Sequence, residues 1–133
     1  MEKEAFTEHC ATMKRMGASW ALNTVYMGKE DLKGHIEGIA DEVVALFCTK
    51  NERYGGEDSL SNFREMVPAL QMWVPALEEI NGMYLANEFL AEKHRVTMLK
   101  HGIYDPKFEE SALDRIAYLL IAVAMRREWD SHK

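Results

Sequence analysis

Apolar residues recur along most of this chain at three- and four-residue intervals, the spacing that lines one face of an α-helix. No stretch alternates with the period of two that marks a strand. Phe6, Cys10, Met13 and Trp20 keep helical spacing up to Gly28, so one helix, or two short ones broken near Gly17, is expected over about residues 2 to 27. A cleaner stripe of Leu32, Ile36, Ile39, Val43 and Phe47 follows Asp31, a side chain suited to capping a helix start. Lys33, Glu37, Asp41 and Glu42 occupy the opposite side. Gly34 and Gly38 lower the propensity of this helix, and close approach of another backbone is one reason for two small residues four apart. Gly55 and Gly56 then supply a turn.

Asp58 or Ser59 can cap a third helix with the stripe Leu60, Phe63, Val67 and Leu70. Pro68 is expected to kink or end it, because proline removes a hydrogen bond and clashes with the preceding turn. Between Pro68 and Asn81 the pattern weakens: Trp73 and Val74 read as buried, and Pro75 can open a short helical segment. From Asn81 a charged helix turns Leu85, Phe89, Val96 and Leu99 inward and stops at Gly102. The last helix runs from about Lys107 to Trp129 and becomes almost purely hydrophobic after Tyr118, so it is expected to be the most buried. The pattern therefore predicts an all-α, single-domain bundle of four to six helices, with an N-terminal helical segment over 1–28 and a core bundle over 31–129. Its main helices are expected over about 31–52, 58–67, 82–101 and 108–129.

Composition agrees with a folded globule: 133 residues, 47% of them hydrophobic, can bury a real core. The formal charge is −6 and no basic run exceeds Arg126-Arg127, so no electrostatic footprint for duplex nucleic acid is present. An acidic protein still binds nucleotides when a metal ion screens the phosphates. Cys10 and Cys48 form no C-x-x-C pair and read as buried free thiols in a reducing compartment. The charged N-terminus has no signal-type apolar stretch, and the ten-residue apolar run from Ile116 to Met125 is too short to span a bilayer. A soluble protein of the bacterial cytoplasm, without membrane contact, is expected.

The residues that stand out chemically are acidic. Glu110, Asp114 and Tyr118 share one stripe at i, i+4 and i+8, with successive Cβ atoms roughly 6 Å apart, and Glu88 and Glu92 form a second pair on the preceding helix. If the two helices pack antiparallel, up to four carboxylates face one another, and such a cluster calls for a cation that favours oxygen ligands, Mg²⁺ or Mn²⁺. Without a metal, Glu109 and Glu110 complement the helix dipole, and Glu88 and Glu92 pair with Lys93, Arg95 or solvent. Asp114, where the last helix passes into its apolar part, needs a metal, a donor such as Tyr54 or Lys93, or a proton. His94 and His101 lie seven apart without a sequence-evident acidic or thiol partner and read as boundary residues rather than zinc ligands. No phosphate-binding glycine loop, dinucleotide fingerprint, H-E-x-x-H or G-x-S-x-G motif occurs. Met13, Met66, Met72, Met83, Met98 and Met125 read as fillers of core gaps.

Four segments, Arg53-Tyr54-Gly55, Asn62-Phe63, Glu92-Lys93 and Glu110-x-x-x-Asp114-x-x-x-Tyr118, resemble the pattern of small phage and prophage proteins of the nucleotide-modification-associated type. Those proteins are in turn similar to the all-α nucleotide pyrophosphohydrolases, the MazG and phage dUTPase-like group. The resemblance covers roughly residues 50 to 128. It implies a phage-encoded helical protein that binds a nucleotide or dNTP with Mg²⁺ and, in the hydrolase reading, releases pyrophosphate by metal-activated water. It further implies Glu92, Glu110 and Asp114 as catalytic metal ligands with Glu88 beside them, Lys93 near a phosphate, and Tyr54, Asn62, Phe63 and Tyr118 around the base or sugar. For Phe63, ordinary core packing is the stronger reading of the residue itself. The E-x-x-E and E-x-x-D spacings of that group appear here only as i, i+4 versions, which turns each second carboxylate by about 100° around its helix. The competing class is a non-enzymatic helical phage accessory protein that acts through assembly and a protein partner. Self-association is expected on either reading, because the apolar content exceeds what one small bundle covers. The resemblance also implies sites near subunit interfaces.

Overall fold

The computed structural model describes residues 2–22, 24–54 and 58–132, and among them it contains five α-helices and no strand. They are α1 (Lys3–Arg15), α2 (Lys29–Tyr54), α3 (Ser61–Gln71), α4 (Glu79–His101) and α5 (Pro106–Ser131), with a 3-10 turn at Ser19–Leu22. The protein is all-α, as the periodicity predicts. It separates into two compact units, Met1–Ala40 and Asp41–Lys133, and the division falls inside α2. No helix of the described residues is long and apolar enough to cross a membrane.

In the first unit α1 ends where Gly17 adopts φ 85°, a left-handed value open to glycine at little cost, and the Gly17 and Ala18 amides close on the carbonyls of Lys14 and Met13. Two ring contacts hold the segment, Phe6 on Tyr26 at 5.2 Å and His9 on Trp20 at 5.8 Å between centroids. Of the two alternatives, one helix or two short ones broken near Gly17, the chain breaks near Gly17, with only a 3-10 turn after it. Asp31 does not cap α2; the helix starts at Lys29, and Glu30 and Asp31 lie in its first turn, where negative charge complements the dipole. A Cβ added at Gly34 or Gly38 would meet nothing within 4 Å, so among the described residues no backbone approaches these glycines closely.

The second unit is built on α3, α4 and α5. Asn87 meets Tyr118 while Met98, about three turns later on α4, meets Arg115, earlier on α5, so partners run in opposite chain order and α4 and α5 are antiparallel. Phe63, Val67, Met83, Ala86 and Met125 form the core. Gly82 marks a close approach of α3 and α4, since a Cβ there would stand 3.0 Å from both methyls of Val67. Asp58 organises the entry to α3, accepting from the Leu60 amide at 3.1 Å and the Arg64 guanidinium at 2.9 Å. Asp105 caps α5 through the Lys107 amide, with Pro106 in the first turn, after Gly102 at φ 75° has ended α4.

At several positions the helices depart from what the sequence pattern predicts. α3 continues past Pro68 to Gln71: the proline lacks the amide that would bond the Arg64 carbonyl, and both residues are exposed, so water can take the place of that bond. Trp73 and Val74 are exposed, at 87% and 48%, and Pro75 opens no helix: the segment is a turn in which the Leu77 amide donates to the Val74 carbonyl. Phe89, Val96 and Leu99 face outward, and α4 instead buries Gly82, Met83, Ala86 and Asn87. α5 is not the most buried helix, since only Ser111 and Met125 are fully covered while Leu119, Leu120 and Val123 stay half exposed. Cys48 is exposed, not buried, Cys10 is half-buried, and Met72 fills no core gap. A three-helix arrangement gives each helix neighbours on one side only, so apolar residues in excess of that side remain in solvent.

Candidate functional site

Along α2 the apolar stripe of Val43 and Phe47 continues one turn further to a cation, Lys50. Its ammonium pairs with Oδ1 of Asp114 on α5, joining residues 64 apart in the chain. The other carboxylate oxygen faces His94 Nδ1 of α4 at 3.7 Å, and the His94 ring stacks on Tyr118 at 5.8 Å between centroids. Asp114 is 12% exposed, so this carboxylate leaves water only because a cation and an imidazole take its place. Burial pushes the His94 imidazole below its usual value against the opposing pull of Asp114, and the Lys50 charge adds to the lowering. Burial likewise raises the Tyr118 phenol, with Lys50 acting against it.

In front of these residues lies a cleft of about 310 Å³, lined by Lys50 and Asn51 of α2, Ser59, Asn62 and Phe63 at the start of α3, and Asp114, Tyr118 and Ile121 of α5. Its polar groups are one ammonium, two primary amides, one hydroxyl, one phenol and one carboxylate, over a floor of Phe63 and Ile121. Phe63 is 5% exposed and meets Tyr118 edge to face at 6.3 Å between centroids, so it serves the core first. Behind Tyr118, the fully buried Asn87 donates from Nδ2 to the Tyr118 carbonyl at 3.0 Å, while its Oδ1 has no partner among the described residues. This hydrogen bond fixes the level at which α5 presents Asp114 and Tyr118.

Of the residues singled out in the sequence, Asp114, Tyr118 and Asn62 meet at this cleft. Glu92 does not: Arg95 holds it from the same helix, with Nε 2.8 Å from Oε2, and this guanidinium keeps the carboxyl below its usual range. Lys93 is exposed and lines no part of the cleft, and the donor to Asp114 is Lys50 rather than Lys93. Glu110 is exposed, though its charge reaches His94, and Glu88 is half-buried on α4. The Tyr54 side chain lies outside the described residues. His94 and His101 do have acidic partners, Asp114 and Asp105, the second at 2.9 Å. Lys50, Asn51 and Ser59 were not singled out in the sequence, although a lysine continuing an apolar stripe was a visible signal.

Among the described residues no group of three or more His, Cys, Asp or Glu side chains is placed to hold a metal ion. Both oxygens of Asp114 face cationic or imidazole nitrogen, and Glu92 is occupied by Arg95. This donor set does not fit a divalent cation held by the protein alone. Comparison of the chain with family models, curated proteins and solved structures finds no match.

Proposed function

We propose that this chain binds a nucleotide in the cleft bounded by Lys50, Asn62, Asp114 and Tyr118. The observation that carries the reading is the convergence of these groups from three helices on one cleft, of a size usual for small-molecule sites. Lys50 is half exposed and can turn from Asp114 to a phosphate, which makes it the phosphate contact in place of Lys93. The amides of Asn51 and Asn62 carry both donors and acceptors, as recognition of a base edge requires, and Asp114 accepts from a sugar hydroxyl. Mg²⁺ enters this reading with the phosphates of the ligand, since Mg²⁺ often relies on them rather than on a protein cage. The hydrolase part of the resemblance needs carboxylates gathered around a metal, whereas Asp114 is paired with Lys50 and Glu92 with Arg95.

Thermal unfolding with dNTPs and NTPs, with and without Mg²⁺, tests the proposal, because a ligand that binds only the folded state raises the melting temperature. A rise is expected for the unaltered chain and none for Lys50→Gln. Asp114→Asn keeps size and removes charge, and the expected result is a fold that still unfolds cooperatively with an altered nucleotide response. No rise for the unaltered chain at millimolar nucleotide rejects the reading and leaves the accessory-protein class ahead.

A further inference from the structure

The outer face of α5 carries a pattern that complements itself. Glu109, Ile116, Leu120, Val123 and Arg127 follow one another at steps of seven, four, three and four residues, which keeps them on one stripe about 27 Å long. Ile116, Leu119, Leu120 and Val123 are 36%, 56%, 53% and 51% exposed, and none of the four lines the nucleotide cleft. Beside the stripe an almost wholly apolar slot of about 190 Å³ opens between α2 and α5, with Val44, Phe47 and Leu120 on its walls. The stripe starts with an exposed acid and ends with an exposed base. Neither Glu109 nor Arg127 has an ion-pair partner among the described residues.

We infer that this face docks a second copy of the chain, α5 against α5 in antiparallel order about a two-fold axis at the level of Tyr118. In that arrangement residues equidistant from position 118 lie opposite each other: Glu109 faces Arg127 of the second copy, Leu113 faces Val123, and Ile116 faces Leu120. Each apolar position meets an apolar position, and each end charge meets its opposite twice by symmetry. A parallel pairing would place Glu109 on Glu109 and Arg127 on Arg127, which like-charge repulsion disfavours. The same end charges argue for a second copy over a partner of unrelated sequence, because the stripe already holds its own complement. Val44 and Phe47 of α2 widen the apolar contact beyond a single helix.

Sedimentation velocity of the full chain over a range of concentrations tests the inference. A dimer is expected for the unaltered chain. Leu120→Glu, an exposed substitution, is expected to give a monomer with unchanged helical circular dichroism. Glu109→Arg and Arg127→Glu each reverse a rim charge and are expected to weaken the dimer on the order of tenfold, and the double reversal to restore it. A monomer at high protein concentration overturns the inference, as does a dimer that Leu120→Glu leaves intact. A dimer whose single charge reversals have no effect, or are not rescued by the double reversal, overturns the antiparallel pairing.

Discussion

At the scale of single residues, His94 is where solution conditions reach the cleft. It stands between Asp114 and Tyr118, with the charges of Lys50, Lys93 and Glu110 in range, and burial outweighs the neighbouring carboxylates in setting its protonation. Its folded pKa lies below 6.5, so between the two values the unfolded chain binds more protons than the folded one. Stability from this group is therefore complete above pH 6.5 and is lost as pH falls through that value toward the folded pKa. Urea midpoints measured between pH 7.5 and 5.5 should fall with acidification, and His94→Gln should flatten that slope. A slope unchanged by His94→Gln would assign the acid sensitivity elsewhere.

At the scale of elements, the glycines of α2 and α4 predict opposite outcomes for one substitution. Gly34 and Gly38 face open space, so Gly34→Ala and Gly38→Ala should each stabilise α2 by about 0.5–1 kcal/mol through helix propensity. Gly82→Ala gains the same propensity but drives a methyl against Val67, and a net loss of about 1 kcal/mol is expected. Denaturant midpoints of the three variants check the contrast. How legible these elements were follows from the same physics. Helix existence, the end at Gly102 and the start of the last helix to within a residue or two were readable, and the break near Gly17 was one of two open alternatives, because caps and left-handed glycines act within a few residues. The buried face of α4 was not, because Leu85, Phe89, Val96 and Leu99 make as good a stripe as the one used, and only tertiary packing chooses between them. The cleft was half legible for a similar reason. Asp114, Tyr118 and Asn62 stood out by residue type and spacing, whereas the pairing of Asp114 with Lys50 depends on where α2 lies against α5.

At the scale of the whole molecule, the order in which helices pack has a consequence in time. α3, α4 and α5 pack each against the next across short connections, so the core of the second unit forms from neighbours in sequence. Chains with such local contacts fold in roughly microseconds to milliseconds, because little loop entropy is lost before the contacts form. The contact of Lys50 with Asp114 spans 64 residues and must wait for that core. The cleft should then be the last part of the unit to assemble and the first to open. In stopped-flow or temperature-jump kinetics, Val67→Ala should slow folding, whereas Lys50→Gln should leave the folding rate nearly unchanged and act on unfolding. A ligand held at Lys50 and Asp114 would accordingly lengthen the lifetime of the folded state without hastening its formation.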